Sequence, residues 1–187
     1  VHLSVAEEFG RRLTERVNAL VVGPGIDPTV NFGPLVSDAA VDSVDAFVQD
    51  ALAHGATLLT GGTRPDRPGS FYAPTVLTGV SADSRLVREE IFGPVVGTRT
   101  FETDEEAIKL ANNTEYGLTG YVFTTDIARA HRMIDRIDTG KMGLNTGLVS
   151  NAAAPFGGVK QSGLGREGGP EGIHEYLSTK YTLIPSS

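Results

Sequence analysis

An α/β fold, with parallel strands alternating with helices that cover them, is what this sequence predicts, and three observations predict it. Apolar residues recur at helical spacing in several separate segments. Short runs rich in β-branched and apolar residues fall between those segments. Glycine and proline clusters punctuate the exchange, as they do in βαβ units.

The opening segment reads as an amphipathic helix, because Val5, Phe9, Leu13, Val17 and Leu20 share one face. Ser4 with Glu7 fits a capping box, and Gly23-Pro24-Gly25 breaks the pattern. A second helix is expected over 38–54, with Val41, Val44, Val48 and Leu52 inward and Gly55 as its cap. Residues 56–60 then read as a short buried strand ended by Gly61-Gly62, and 71–80 as extended chain interrupted by Pro74. A strand over 95–101 leads to a second capping box, Thr103 with Glu106, which opens a helix to about Asn113. Residues 118–123 are strand-like, Ile127, Ala130, Ile134 and Ile137 make a helical face, and 142–145 form a short strand. From Gly147 to Gly169 glycine dominates and periodicity vanishes, which marks either a functional loop or a solvated connection. A helix near 172–177 and an alternating strand over 179–184 follow.

Composition narrows the function classes. The 187 residues carry a formal charge of −7, with no basic run and no aromatic stripe interleaved with arginine, so nucleic acid is not an expected partner. No apolar run approaches the roughly 18 residues that a membrane span needs, and the opening residues lack a signal-peptide pattern. A cytoplasmic protein without a membrane partner is the expectation. There is no cysteine, which removes disulfides, thiolate metal sites and thiol nucleophiles from this chain. His2, His54, His131 and His174 are scattered without ligand spacing, so no metal site is expected.

One motif is set aside. Gly163-Leu164-Gly165-Arg166-Glu167-Gly168 matches the dinucleotide fingerprint, which needs a strand before it, a helix after it and an acidic residue about 20 positions on. Val159-Lys160-Gln161-Ser162 makes a poor strand, and too little chain follows for a βαβ unit.

Two segments carry a family resemblance. One is Glu89-Glu90-Ile91-Phe92-Gly93-Pro94. The other runs Asn145-Thr146-Gly147-Leu148-Val149-Ser150 and continues through Pro155-Phe156-Gly157-Gly158-Val159-Lys160-Gln161-Ser162-Gly163 to Gly165-Arg166-Glu167. In this order they resemble the aldehyde dehydrogenase superfamily, nearest to its succinate-semialdehyde dehydrogenases, along essentially the whole chain. The resemblance implies a Rossmann-like parallel sheet with flanking helices, a partial catalytic domain over 1–165, and a C-terminal helix and oligomerisation strand over 166–187. It implies NAD or NADP as cofactor, with Glu90 bonded to the ribose hydroxyls beside the nicotinamide and Phe92 packed against that ring. A carboxylate suits a vicinal diol because it can accept from both hydroxyls. A surface carboxylate is the alternative for Glu90, and an ordinary core side chain for Phe92.

The resemblance also places Phe156 at the substrate tunnel and Ser150 where a hydroxyl helps hold a distal carboxylate, so a small aldehyde such as succinate semialdehyde is the implied substrate. The segment Thr179-Lys180-Tyr181-Thr182-Leu183-Ile184 resembles the strand that adds to a partner subunit's sheet, which implies a homo-oligomer; an edge strand within its own subunit is the alternative. The family's reaction begins with a cysteine thiolate and uses a glutamate base, and both lie upstream of the segment that this chain matches. No catalytic residue is therefore assigned here, and no GxSxG elbow stands in for them. The expectation is part of a longer dehydrogenase, inactive alone; the competing expectation is a non-enzymatic module that binds subunits.

Overall fold

The computed structural model describes residues 1–185. Contacts divide them into two compact units, Val1–Thr103 and the chain from Asp104 on, each taken by itself below.

The first unit opens with a 3-10 turn, Leu3–Val5, that runs into helix α1, Ala6–Asn18. The expected capping box does not form. Ser4 lies inside the 3-10 turn, and the cap comes from two positions earlier: Ser4 N donates to His2 Nδ1 at 3.1 Å. The buried stripe of α1 is also rotated from the expected one. Gly10 is buried and Leu13, Thr14 and Val17 are half-buried, while Val5, Phe9 and Leu20 are exposed.

Helix α2, Asp38–Ala53, forms as its spacing demands. Ser37 caps it by accepting from Ala40 N, and Val41, Val44, Phe47, Val48 and Ala51 are buried. Gly55, at φ +86, lets the chain turn back. Strands β1 (Thr57–Thr60), β2 (Thr75–Thr78) and β3 (Val95–Thr98) make one sheet with β2 in the middle. Strand β2 runs antiparallel to β1 and parallel to β3. Leu77 and Val80 pack with Tyr72, Val95 and the inner face of α2 into a single core. Each such side chain, once buried, contributes about 1.5–3 kcal/mol. Strand β1 is exposed along most of its length, contrary to the buried strand expected, because it lies at the sheet edge. A one-turn helix α3, Arg85–Arg88, sits between β2 and β3.

The second unit begins with helix α4, Asp104–Asn112, then β4 (Tyr116–Gly117), β5 (Thr119–Val122), helix α5 (Ile127–Arg136), β6 (Lys141–Leu144), β7 (Val159–Lys160) and a 3-10 turn over Glu171–Tyr176. Strands β5 and β6 are parallel with α5 as their crossover, which makes a small βαβ unit. Strands β4 and β7 pair antiparallel. Asp104 accepts from Arg129 at 3.0 Å and Arg132 at 2.8 Å, which ties the start of α4 to α5.

The described strands therefore form three small sheets with both parallel and antiparallel pairs, where one parallel sheet was expected. Residues 179–184 form no strand here, and Tyr181, Leu183 and Ile184 are exposed. An alternating pattern specifies two faces but not a pairing partner, and within the described residues none pairs with this segment. No helix among them is long and apolar enough to cross a membrane.

Candidate cofactor and substrate site

In the first unit the candidate site grows out of the turn that α3 makes. Ser84 is fully buried and caps α3, with its Oγ accepting from Leu86 N. The same hydroxyl donates to Asp50 Oδ2 at 2.9 Å, and Arg85 N donates to that oxygen at 2.8 Å. These bonds, the Arg85 amide first, hold the Asp50 carboxyl below the usual aspartate range. Leaving α3, Glu89 takes an extended conformation, and Thr75 N donates to Pro94 O at 2.8 Å where the strap meets the sheet.

An extended strap alternates its side chains between two faces. Ile91 turns inward and packs on the core, while Glu90 and Phe92 turn outward. Phe92 is 82% exposed, so the core alternative for this ring is excluded within its unit. The two neighbouring glutamates differ in use. Glu89 receives Arg85 Nε at 2.7 Å and Nη2 at 2.9 Å, a two-pronged bond that lowers its pKa. Glu90 has no hydrogen bond or ion pair with any described residue. Glu90 and Phe92 are among the residues that line a groove of about 640 Å³, with Phe32, Pro34, Leu35 and Val36. A largely apolar groove whose lining includes one uncommitted acidic residue is chemically suited to a planar ring joined to a diol, so these residues fit the nicotinamide and its ribose.

In the second unit Phe156 is half-buried, and its backbone exchanges hydrogen bonds with Glu167 at 2.7 and 2.8 Å. Lys141 Nζ lies 3.0 Å from the centre of the Phe156 ring, and burial pushes this ammonium below the usual lysine range. Phe156 borders a recess of about 310 Å³ with Arg166, Glu167, Glu175 and Tyr176. Ser150 is exposed and is not among that recess's lining residues. Arg166 Nη1 donates to the carbonyls of Gly158 and Gly165 at 2.8 and 2.7 Å, which fastens the glycine-rich segment to itself. Gly163, Gly165 and Gly168 all have positive φ, between 69° and 102°, so glycine recurs there to make turns. No three acidic, histidine or cysteine side chains among the described residues are grouped to hold a metal ion.

The aldehyde dehydrogenase family pattern matches residues 1–182. The chain belongs to the aldehyde dehydrogenase family. Over 184 residues it is 50% identical to the succinate-semialdehyde dehydrogenase of Paenarthrobacter nicotinovorans, covering 98% of this chain and 41% of that protein. It is 41% identical to the NADP(+) succinate-semialdehyde dehydrogenase of Escherichia coli, covering 96% of this chain and 37% of that one. The crystal structure of betaine aldehyde dehydrogenase from Staphylococcus aureus in complex with NAD+ superposes with a TM-score of 0.91 at 42% identity, over 96% of this chain and 37% of that one. The chain thus has the mixed α/β aldehyde dehydrogenase fold and spans about 40% of the length of such relatives.

Sequence reasoning missed Asp50, Ser84, Arg85 and Lys141. For Arg85 and Glu89 a signal was present, since arginine and glutamate at i and i+4 face each other on a helical turn. Asp50 and Ser84 are 34 positions apart, and no local pattern joins them.

Proposed function

We propose that this chain supplies the nicotinamide-side wall and part of the aldehyde entrance of an NAD(P)-dependent aldehyde dehydrogenase that oxidises succinate semialdehyde to the dicarboxylate. In this reading residues 1–165 belong to the catalytic domain, and 166–187 are the C-terminal helix and oligomerisation strand. The observation that carries it is the uncommitted Glu90 and the outward Phe92 together in the lining of a largely apolar groove.

Glu90 accepts from the two ribose hydroxyls, and charge-assisted bonds of this kind are the strong ones. Phe92 limits where the neighbouring ring can lie. When bound, the nicotinamide supplies a hydride acceptor. Ser150 donates its hydroxyl to the distal carboxylate of the substrate, and Phe156 gives the entrance an apolar wall. The succinate-semialdehyde dehydrogenases among the relatives support an anionic substrate, and the betaine aldehyde relative shows why the fold alone does not choose one. Tyr181 and Leu183 alternate with polar Lys180 and Thr182, and Tyr181, Leu183 and Ile184 are exposed, which suits addition to a partner subunit's sheet and supports a homo-oligomer.

The test is a chimera in which this chain replaces the matching 184 residues of the Paenarthrobacter nicotinovorans enzyme. It should oxidise succinate semialdehyde with NAD+ or NADP+. Glu90→Gln should weaken cofactor binding about tenfold, as loss of a charged hydrogen bond would. A folded chimera whose cofactor affinity ignores Glu90→Gln sinks the assignment of that residue. One that oxidises other aldehydes but not succinate semialdehyde sinks the substrate.

A further inference from the structure

We propose that Asp50 is a positioning residue for the cofactor strap: from helix α2 it fixes Ser84 and Arg85, and Arg85 in turn fixes the residue next to Glu90. The inference rests on the role proposed for Glu90 and extends it to a side chain that touches no cofactor.

The chain of contacts is short and complete. Asp50 Oδ2 receives both the Ser84 hydroxyl at 2.9 Å and the Arg85 amide at 2.8 Å, so a single oxygen sets where the turn of α3 begins. His54 Nδ1 lies 3.5 Å from the other oxygen, so His54 faces the group from its own helix while Arg85 and Ser84 face it from α3. The Arg85 guanidinium stands 4.5 Å over the Phe47 ring, also on α2, which leaves its fork aimed along the strap. That fork grips Glu89 through both carboxylate oxygens. Glu89 is covalently joined to Glu90, so this grip fixes one end of the peptide unit that presents Glu90. The other end is fixed by Ile91 in the core.

A stability role alone explains this arrangement poorly. Exposed ion pairs contribute little to folding, and the Arg85–Glu89 pair is about half exposed on each side, at 43% and 49%. What the pair does supply is orientation. Two bonds from a planar fork restrict a carboxylate far more than a single ammonium contact does. Small displacements of a binding group cost affinity out of proportion to their size.

The experiment uses the chimera described above with Asp50→Asn and, separately, Glu89→Gln, whose site is exposed and cannot disrupt the core. Reduced-cofactor affinity is measured by fluorescence titration, amide hydrogen exchange is followed across 85–92 without cofactor, and the aldehyde KM is recorded. Asp50→Asn should weaken cofactor binding about fivefold to tenfold and Glu89→Gln about threefold, consistent with displacement of a positioned group. Faster exchange should be confined to 85–92, and the aldehyde KM should stay within about twofold. Faster exchange in 85–92 with unchanged cofactor affinity overturns the inference, as does no change in either. Faster exchange through the whole unit, with both constants worse, also overturns it in favour of a plain structural role. If Asp50→Asn does not fold, Glu89→Gln decides alone by the same criteria. If Glu90→Gln itself leaves affinity unchanged, the role of Glu90 fails and this inference falls with it.

Discussion

The two units of the chain solve the same problem with different chemistry. The first packs Val41, Val44 and Val48 of α2 against Tyr72 and Leu77, so the strap over residues 89–94 hangs from a packed frame. In the second, the buried apolar residues among those described are Ile108, Ala130 and Met133. Polar ties do much of the rest: Asp104 to two arginines, and Arg166 to two carbonyls of the glycine-rich segment. The comparison teaches that a strap can borrow precision from a core, whereas a loop built of glycine must be laced by hydrogen bonds to hold any shape.

The largest effect that could break this contrast is in the first unit. Leu77→Ala should cost about 2–5 kcal/mol of stability, the range for a truncated core leucine, read by denaturant unfolding of the chain with residue-resolved hydrogen exchange. An effect below that range would mean that this core is not the frame described. Next comes Gly140→Ala in the second unit, where a Cβ would run into the Gly157 carbonyl. Backbone cannot step aside as a side chain can, so about 1–3 kcal/mol should be lost, with exchange rising around 140 and 157. If alanine is tolerated there, close backbone approach is not what keeps the second unit together.

The smallest effect separates ties from packing. Asp104→Asn should cost about 0.5–1 kcal/mol, because its arginine partners are half exposed and solvent weakens such pairs. Arg132 and then Arg129 hold the Asp104 carboxyl below the ordinary aspartate value of 3.8. The sign follows from a depressed folded value. The contribution is full above the ordinary value and is lost as pH falls through the folded one. An acid titration of stability should therefore lose one component below about pH 4 in Asp104→Asn relative to the parent; identical acid limbs would show that Asp104 is a bystander.

What the sequence made legible follows from how local each feature is. Helix α2 could be read outright, because Val41, Val44 and Val48 share a face and Gly55 marks its end; its Ser37 cap came from the structure. Sheet order could not. Whether β1 runs with or against β2 depends on pairing across the turn at Gly61-Gly62, and alternation within a strand is silent on that. The stripe on α1 was misread because Gly10, which adds nothing to an apolar count, is the residue that lies buried. Glu90 and Phe92 were proposed through resemblance alone, and the structure adds that Arg85 already holds the neighbouring Glu89. Ser150 and Phe156 were named together, yet the 310 Å³ recess includes only Phe156.

Asn145 carries a consequence of a different kind. Its backbone turns left-handed at φ 53°, while its side-chain amide both donates to and accepts from Thr124, each at 2.9 Å. One residue thereby finishes the β5–β6 pair and swings the chain away from it. A loop that departs from such a swivel inherits its starting direction from the end of the sheet and folds back on it, with Val149 against Gly143 and Gly157 against Gly140. For an engineer, Asn145 is thus the hinge pin to leave in place.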